Sequence, residues 1–126
     1  MLRRSRSVTY LVPIFALSSS FQLSTTNWPA LGAWLTDDTV FEDTSPAPDG
    51  RRLEGKAAVV AYWRAWFVRN PDALFETEDI IVSGDRAVVR WVYRKLRHGQ
   101  PWHLRGVDVF TVREGKVAAK LAYVKG

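Results

Sequence analysis

The chain has 126 residues, of which 47% are hydrophobic and 13% aromatic, enough apolar surface for one core in one domain. It contains no cysteine, which excludes disulfides and thiolate metal sites. The formal charge of +5 is scattered over Arg3, Arg4, Arg6, Arg51, Arg52 and alternating strand positions. A nucleic-acid binder concentrates such charge on one face, so no nucleic-acid partner is expected; solubility, or attraction of an acidic small molecule, accounts for it.

Residues 1–26 form a segment of uncertain nature. Met1 to Ser7 is basic, Val8 to Leu17 is largely apolar, and Ala16-Leu17-Ser18 is a passable cleavage signal. That is the outline of a secretory signal, although Pro13 interrupts it and the apolar run is too short to span a bilayer. The competing reading is a degenerate first helix of the domain. Export follows from the first reading and a cytoplasmic location from the second, which we favour for the reason given below.

Trp28 to Leu35 reads as a short helix, with Asn27 as N-cap, Pro29 in the first turn, and Trp28, Leu31, Trp34 and Leu35 at helical spacing. Thr36-Asp37-Asp38 is expected to end it, and Thr39 to Asp43 to form a short strand. Thr44 to Gly50, with Pro46, Pro48, Asp49 and Gly50, reads as a loop. Gly55 to Asn70 is the clearest helix: it is rich in alanine, Val59, Trp63, Trp66 and Phe67 share a face, and Asn70-Pro71 stops it. The remainder predicts a meander of strands over Leu74–Val82, Arg86–Leu96, Trp102–Arg113 and Lys116–Lys125, separated by glycine-containing turns. Helices first and strands afterwards predict an α+β domain with helices on one face of the sheet.

Alternation along the strands assigns faces. Ala87, Val89, Trp91 and Tyr93 share one face, as do Trp102, Leu104, Gly106, Asp108, Phe110 and Val112. Strict alternation in the last strand adds Val117, Ala119, Leu121 and Tyr123. This aromatic face is expected to lie under the Trp-rich helix. The opposite face mixes Arg and Lys with Val and Ala, too apolar for open water, which suggests a homodimer contact. Trp63, Trp91, Tyr93, Trp102, Phe110 and Tyr123 are the candidate ligand-binding residues, with ordinary core packing as the alternative for each.

Asp108 is the informative residue. A carboxylate among inward aromatics is costly unless paired or protonated, and desolvation there raises its pKa. It is either a tuned acid/base or an aspartate neutralised by a buried arginine or a backbone N–H. Asp43, at a strand end before Thr44-Ser45-Pro46, is either a turn residue capping local N–H groups or a partner to Asp108. His98 falls in a turn and His103 faces away from the aromatic side, so no metal site is expected. No phosphate loop, dinucleotide fingerprint or nucleophile elbow is present, and no cofactor is expected.

The run Gly106-Val107-Asp108-Val109-Phe110-Thr111-Val112-Arg113-Glu114-Gly115-Lys116-Val117, followed by Ala122-Tyr123, resembles the last hairpin of SnoaL-like polyketide cyclases and ketosteroid isomerases, members of the nuclear transport factor 2-like superfamily. Trp28-Pro29-Ala30-Leu31, Asp37-Asp38, Val40 to Asp43, and Arg52 to Ala57 opening the long helix resemble the same family over residues 27–126. The resemblance implies a cone, a curved mixed or antiparallel sheet wrapped around helices, with a central pocket for a small apolar molecule. It implies that Asp43 stands where the isomerases place their proton-shuttling base, and Asp108 where they place a protonated acid. It would also place a tyrosine donor near Ser19, where this chain has none; Tyr93 and Tyr123 are the alternatives. The family's first helix lids the cone, so the resemblance favours retention of residues 1–26. Two functions follow: a cofactor-independent isomerase- or cyclase-type enzyme, or a non-catalytic binding or dimerisation module.

Overall fold

A computed structural model describes residues 28–126. The expectations for residues 1–27, including the Asn27 cap and the signal-like or lid-helix readings, lie outside the described residues.

Helix α1 spans Trp28–Gly32, strand β1 Leu35–Glu42, β2 Arg52–Glu54, helix α2 Lys56–Arg69, and strands β3 to β6 Leu74–Ser83, Arg86–Arg97, Gln100–Arg113 and Lys116–Val124. The strands form one six-stranded sheet in the order β2-β1-β6-β5-β4-β3. β1 runs parallel to β6 and every other pairing is antiparallel.

Two sequence expectations change. The first helix stops at Gly32, not Leu35, and Leu35 opens β1, so Thr36-Asp37-Asp38 lies inside a strand. Tertiary pairing outweighs the helical spacing here: Leu35 is fully buried opposite Val117, the Val117 N–H donates to Trp34 O at 2.8 Å, and the Thr39 hydroxyl donates to Val117 O at 3.0 Å. Arg52–Glu54, read as the entry to the long helix, is instead an edge strand against β1, and the helix begins after Gly55.

The meander follows the predicted plan. The β4–β5 and β5–β6 hairpins turn on His98-Gly99 and Glu114-Gly115, with positive φ at both residues of each pair, the geometry that matches strand twist. Register shifts interrupt three ladders: Glu78 is extra in β3 against β4, Ala118 is extra in β6 against β5, and β1 slips against β6 between Leu35 and Val40. Such bulges bend a strand and increase its twist, which curls the sheet around α2. Leu31, Leu35, Phe41, Val59, Trp63, Ala87, Val89, Phe110, Val112 and Val117 form the core between helices and sheet.

The bulge at Ala118 corrects the face assignment of β6. Val112 faces Val117, but past the extra residue Phe110 faces Lys120 and Asp108 faces Ala122. Lys120 and Ala122 therefore point inward, while Leu121 and Tyr123 point outward opposite Val109 and Val107. Tyr123 is 53% exposed on the outer face and takes no part in the hollow described next.

Candidate functional site

Between α2 and the concave sheet lies a hollow of about 270 Å³. Trp63, Trp66 and Phe67 of α2, Phe75 of β3, and Trp91 and Tyr93 of β4 supply aromatic wall. Asp43, Asp108, Tyr62, Lys95 and Lys120 supply its charged and hydroxyl groups.

Asp108 reaches the hollow through the period-two alternation of β5, and it is 6% exposed. Removal from water pushes its carboxyl above the ordinary aspartate value of 3.8, and the charge of Asp43 adds to that push. The Lys120 ammonium, 3.7 Å from Oδ2, opposes it. So does the nearby indole N–H of Trp91, although that buried N–H completes no hydrogen bond. Among the described residues the cation beside Asp108 is thus Lys120, and no arginine pairs with it. Gly106 allows this packing: a Cβ there would stand 2.5 Å from the Trp91 ring and 2.4 Å from Tyr123 O. The indole can thus pack directly against the strand that carries Asp108.

Asp43 is placed differently. Its N–H donates to Arg51 O at 2.8 Å as the loop after β1 folds back, with Gly50 N–H to Pro46 O at 2.8 Å and Arg51 N–H to Ser45 O at 3.0 Å. Gly50 has φ 78°, and a Cβ there would sit 1.7 Å from Asp43 O. Both side-chain oxygens then accept: Oδ1 from Thr44 N–H at 2.7 Å, and Oδ2 from the Tyr62 hydroxyl. Burial, reinforced by Asp43, pushes the Tyr62 hydroxyl up to about 12. The capping reading of Asp43 is met by the Thr44 N–H, and the same residue also lines the hollow.

Sequence reasoning missed Tyr62 and Lys120. Tyr62 had a signal: Val59, Tyr62, Trp63, Trp66 and Phe67 fall at successive helical contacts on one stripe. Lys120 had none, because strict alternation assigns it to the outer face. It lies in a row with Phe41 and Phe110 across β1, β6 and β5, its ammonium 5.0 Å from the Trp63 ring centre, 5.7 Å from Phe41 and 6.0 Å from Phe110.

Of the predicted ligand-binding residues, Trp63, Trp91 and Tyr93 line the hollow. Phe110 is fully buried beneath it in the core. Trp102 stands outside the wall, edge-on to Tyr93 at 6.0 Å. His98 and His103 are exposed, and among the described residues no cluster of His, Cys, Asp or Glu could hold a metal ion. No helix among them is long and apolar enough to cross a membrane.

A curved sheet closed by a long helix over an aromatic hollow defines the nuclear transport factor 2-like fold. Within it, the chain belongs to the SnoaL-like domain family, whose model matches residues 21–120. A nuclear transport factor 2-like protein of unknown function from Mesorhizobium loti is 31% identical, with a TM-score of 0.69, covering 99% of this chain and 88% of that one. A "putative SnoaL-like polyketide cyclase" from Jannaschia sp. CCS1 shares the fold at 17% identity and a TM-score of 0.77, covering 94% of this chain and 86% of that one. A "putative polyketide cyclase" from Xanthomonas campestris pv. campestris shares it at 22% identity and a TM-score of 0.67, over 95% and 92% of the two chains. A comparison with curated proteins found no match.

Proposed function

We propose that the hollow binds a small, largely apolar carbonyl compound and moves a proton beside its carbonyl without a cofactor, as isomerases and cyclases do. The observation that carries this reading is one aromatic hollow with two carboxylates in unlike settings, one buried beside a lysine and one held by two donors. Groups whose surroundings separate their proton affinities divide acid and base roles. Asp43, oriented by Tyr62 and Thr44, takes the proton from the carbon. The electron pair of that C–H bond forms the carbon–carbon double bond of an enolate as the carbonyl π pair moves to its oxygen. Asp108, biased toward its protonated form, donates to the developing enolate, and the nearby Lys120 charge favours it further. Return of the proton to another carbon gives isomerisation; attack of the enolate carbon on a second carbonyl gives cyclisation. The cyclase names of the Jannaschia and Xanthomonas proteins agree with this class of chemistry.

The test needs no knowledge of the natural substrate. Exchange of α-hydrogens for deuterium in a panel of apolar cyclic ketones, followed by NMR in heavy water, reads proton removal directly. The wild type accelerates exchange for at least one ketone, and Asp108→Asn lowers that rate by about 10²–10⁴-fold, the usual contribution of a positioned acid or base. Unchanged exchange in Asp108→Asn would remove the acid/base assignment and leave a binding module.

A second reading concerns the outer face. Ile81 is 60% exposed and Tyr123 53%, beside half-buried Val107 and Val109. Such an apolar surface fits a homodimer contact. Analytical ultracentrifugation of the wild type and of Ile81→Lys/Tyr123→Lys tests it; a wild type that sediments as a monomer rejects it.

A further inference from the structure

We propose that Lys95 is the anchor for a carboxylate, so that the ligand of this hollow is an elongated apolar acid bound with its acid group at the rim and its apolar body toward Asp43 and Asp108. The inference names the substrate class for the reading above and rests on the same hollow.

Strand register gives the geometry. Asp108 faces Val89 across β4–β5 and Ala122 across β5–β6, which sets the inner level. Lys95 lies six positions beyond Val89 on the same face of β4, opposite Trp102. At the rise of a strand that is about 20 Å along the chain, shortened by the reach of the lysine side chain. Trp91, Tyr93 and Leu104 fill the inward positions between, all in the wall. The hollow therefore runs from an acid pair at one end, past apolar and aromatic wall, to a lysine at the other.

Lys95 is out of place for an ordinary surface lysine. Alternation puts it on the inward face, it is half-buried, and it lines the hollow. Its ammonium sits 5.8 Å from the Tyr93 ring centre and 5.5 Å from Trp102, while the Arg97 guanidinium lies 4.9 Å from Trp102. Neither cation forms an ion pair with a carboxylate among the described residues. The outward neighbour Arg94, in contrast, is paired with Glu76 at 3.3 Å. Two cations held on one tryptophan at the rim leave a positive site with no counter-charge among the described residues. Cation–π contacts fix the position of an ammonium but do not neutralise it, and a ligand carboxylate does. Trp102, expected to touch the ligand, acts here as the platform beneath the two cations.

The test compares octanoate with octanamide, matched in shape and differing in charge. Trp63, Trp66 and Trp91 line the hollow, so occupancy is read from intrinsic tryptophan fluorescence in the full chain. Octanoate should bind about tenfold more tightly than octanamide, as expected for a partly screened, charge-assisted hydrogen bond. Lys95→Met should bring octanoate down to the affinity of octanamide and leave octanamide unchanged. Lys95→Arg should restore most of the preference. Raising salt from about 0.05 M to about 0.5 M should shrink it. Equal binding of the two probes by the wild type, or a preference that survives in Lys95→Met, overturns the assignment of Lys95. In those cases the exchange experiment on Asp108 is untouched, so the two readings fail separately; binding of neither probe overturns the ligand class as a whole.

Discussion

The two carboxylates of the hollow arrive by opposite routes. Asp108 stands in the middle of a 14-residue strand, delivered by alternation and buried beside Lys120. Asp43 stands just past the end of a strand, delivered by a folded-back loop and satisfied by donors from the next residue and from α2. The first is governed by desolvation and one counter-charge, the second by hydrogen-bond geometry. A fold that sets the same side chain in two such settings can divide acid from base with no second residue type. Each region should therefore fail in its own way.

The largest expected effect is on chemistry at the strand carboxylate, the 10²–10⁴-fold loss of exchange in Asp108→Asn, an order-of-magnitude figure for one positioned acid. Next come the two glycines that permit each setting. Gly106→Ala drives a methyl group into the Trp91 ring and the backbone of β6, and it should cost about 1–3 kcal/mol in urea unfolding. Gly50→Ala meets a positive φ and the carbonyl of Asp43, and a similar loss of about 1–3 kcal/mol is expected. The comparison is sharpened by what else changes: Gly106→Ala should alter tryptophan fluorescence through Trp91, whereas Gly50→Ala should leave that spectrum intact and slow exchange through Asp43.

The pH dependence separates the regions further. The folded pKa of Asp108 lies above 3.8, so between that value and the raised one the native state holds a proton that the unfolded chain has released. Stability from this group is thus full at acid pH and is lost as pH rises through the raised value. Urea midpoints measured against pH should show that falling contribution in the wild type and not in Asp108→Asn. Tyr62 acts at the far end of the scale. With its hydroxyl raised to about 12, its contribution fades only as pH climbs from about 10 to about 12, and ultraviolet titration of Tyr62→Phe should lack that late step. At neutral pH Tyr62→Phe removes one hydrogen bond to Asp43, with an expected cost of about 1 kcal/mol. The smallest effect belongs to the outer face: Tyr123→Ala should change the stability of a monomer by less than about 0.5 kcal/mol and leave exchange unchanged.

Much of this arrangement is written in local pattern. The meander, the long helix, the burial of Asp108 and the inward set Ala87, Val89, Trp91 and Tyr93 all follow from periodicity, because a side chain on a regular strand or helix has only one face to occupy. Tyr62 also obeys that rule, on a helix stripe that includes Val59 and Trp63. Other features have no local signature. Leu35 leaves a helical pattern for a strand because Val117, far along the chain, offers it a partner. Lys120 turns inward, and Tyr123 outward, because one extra residue at Ala118 resets the alternation, and only the pairing of β6 with β5 shows where that residue is accommodated. The meeting of Asp43 with Tyr62 depends on how a loop returns across the end of the sheet. Periodicity is a property of consecutive residues and is legible in one dimension; register, bulges and counter-charges are properties of pairs distant in sequence, and only the folded chain selects them.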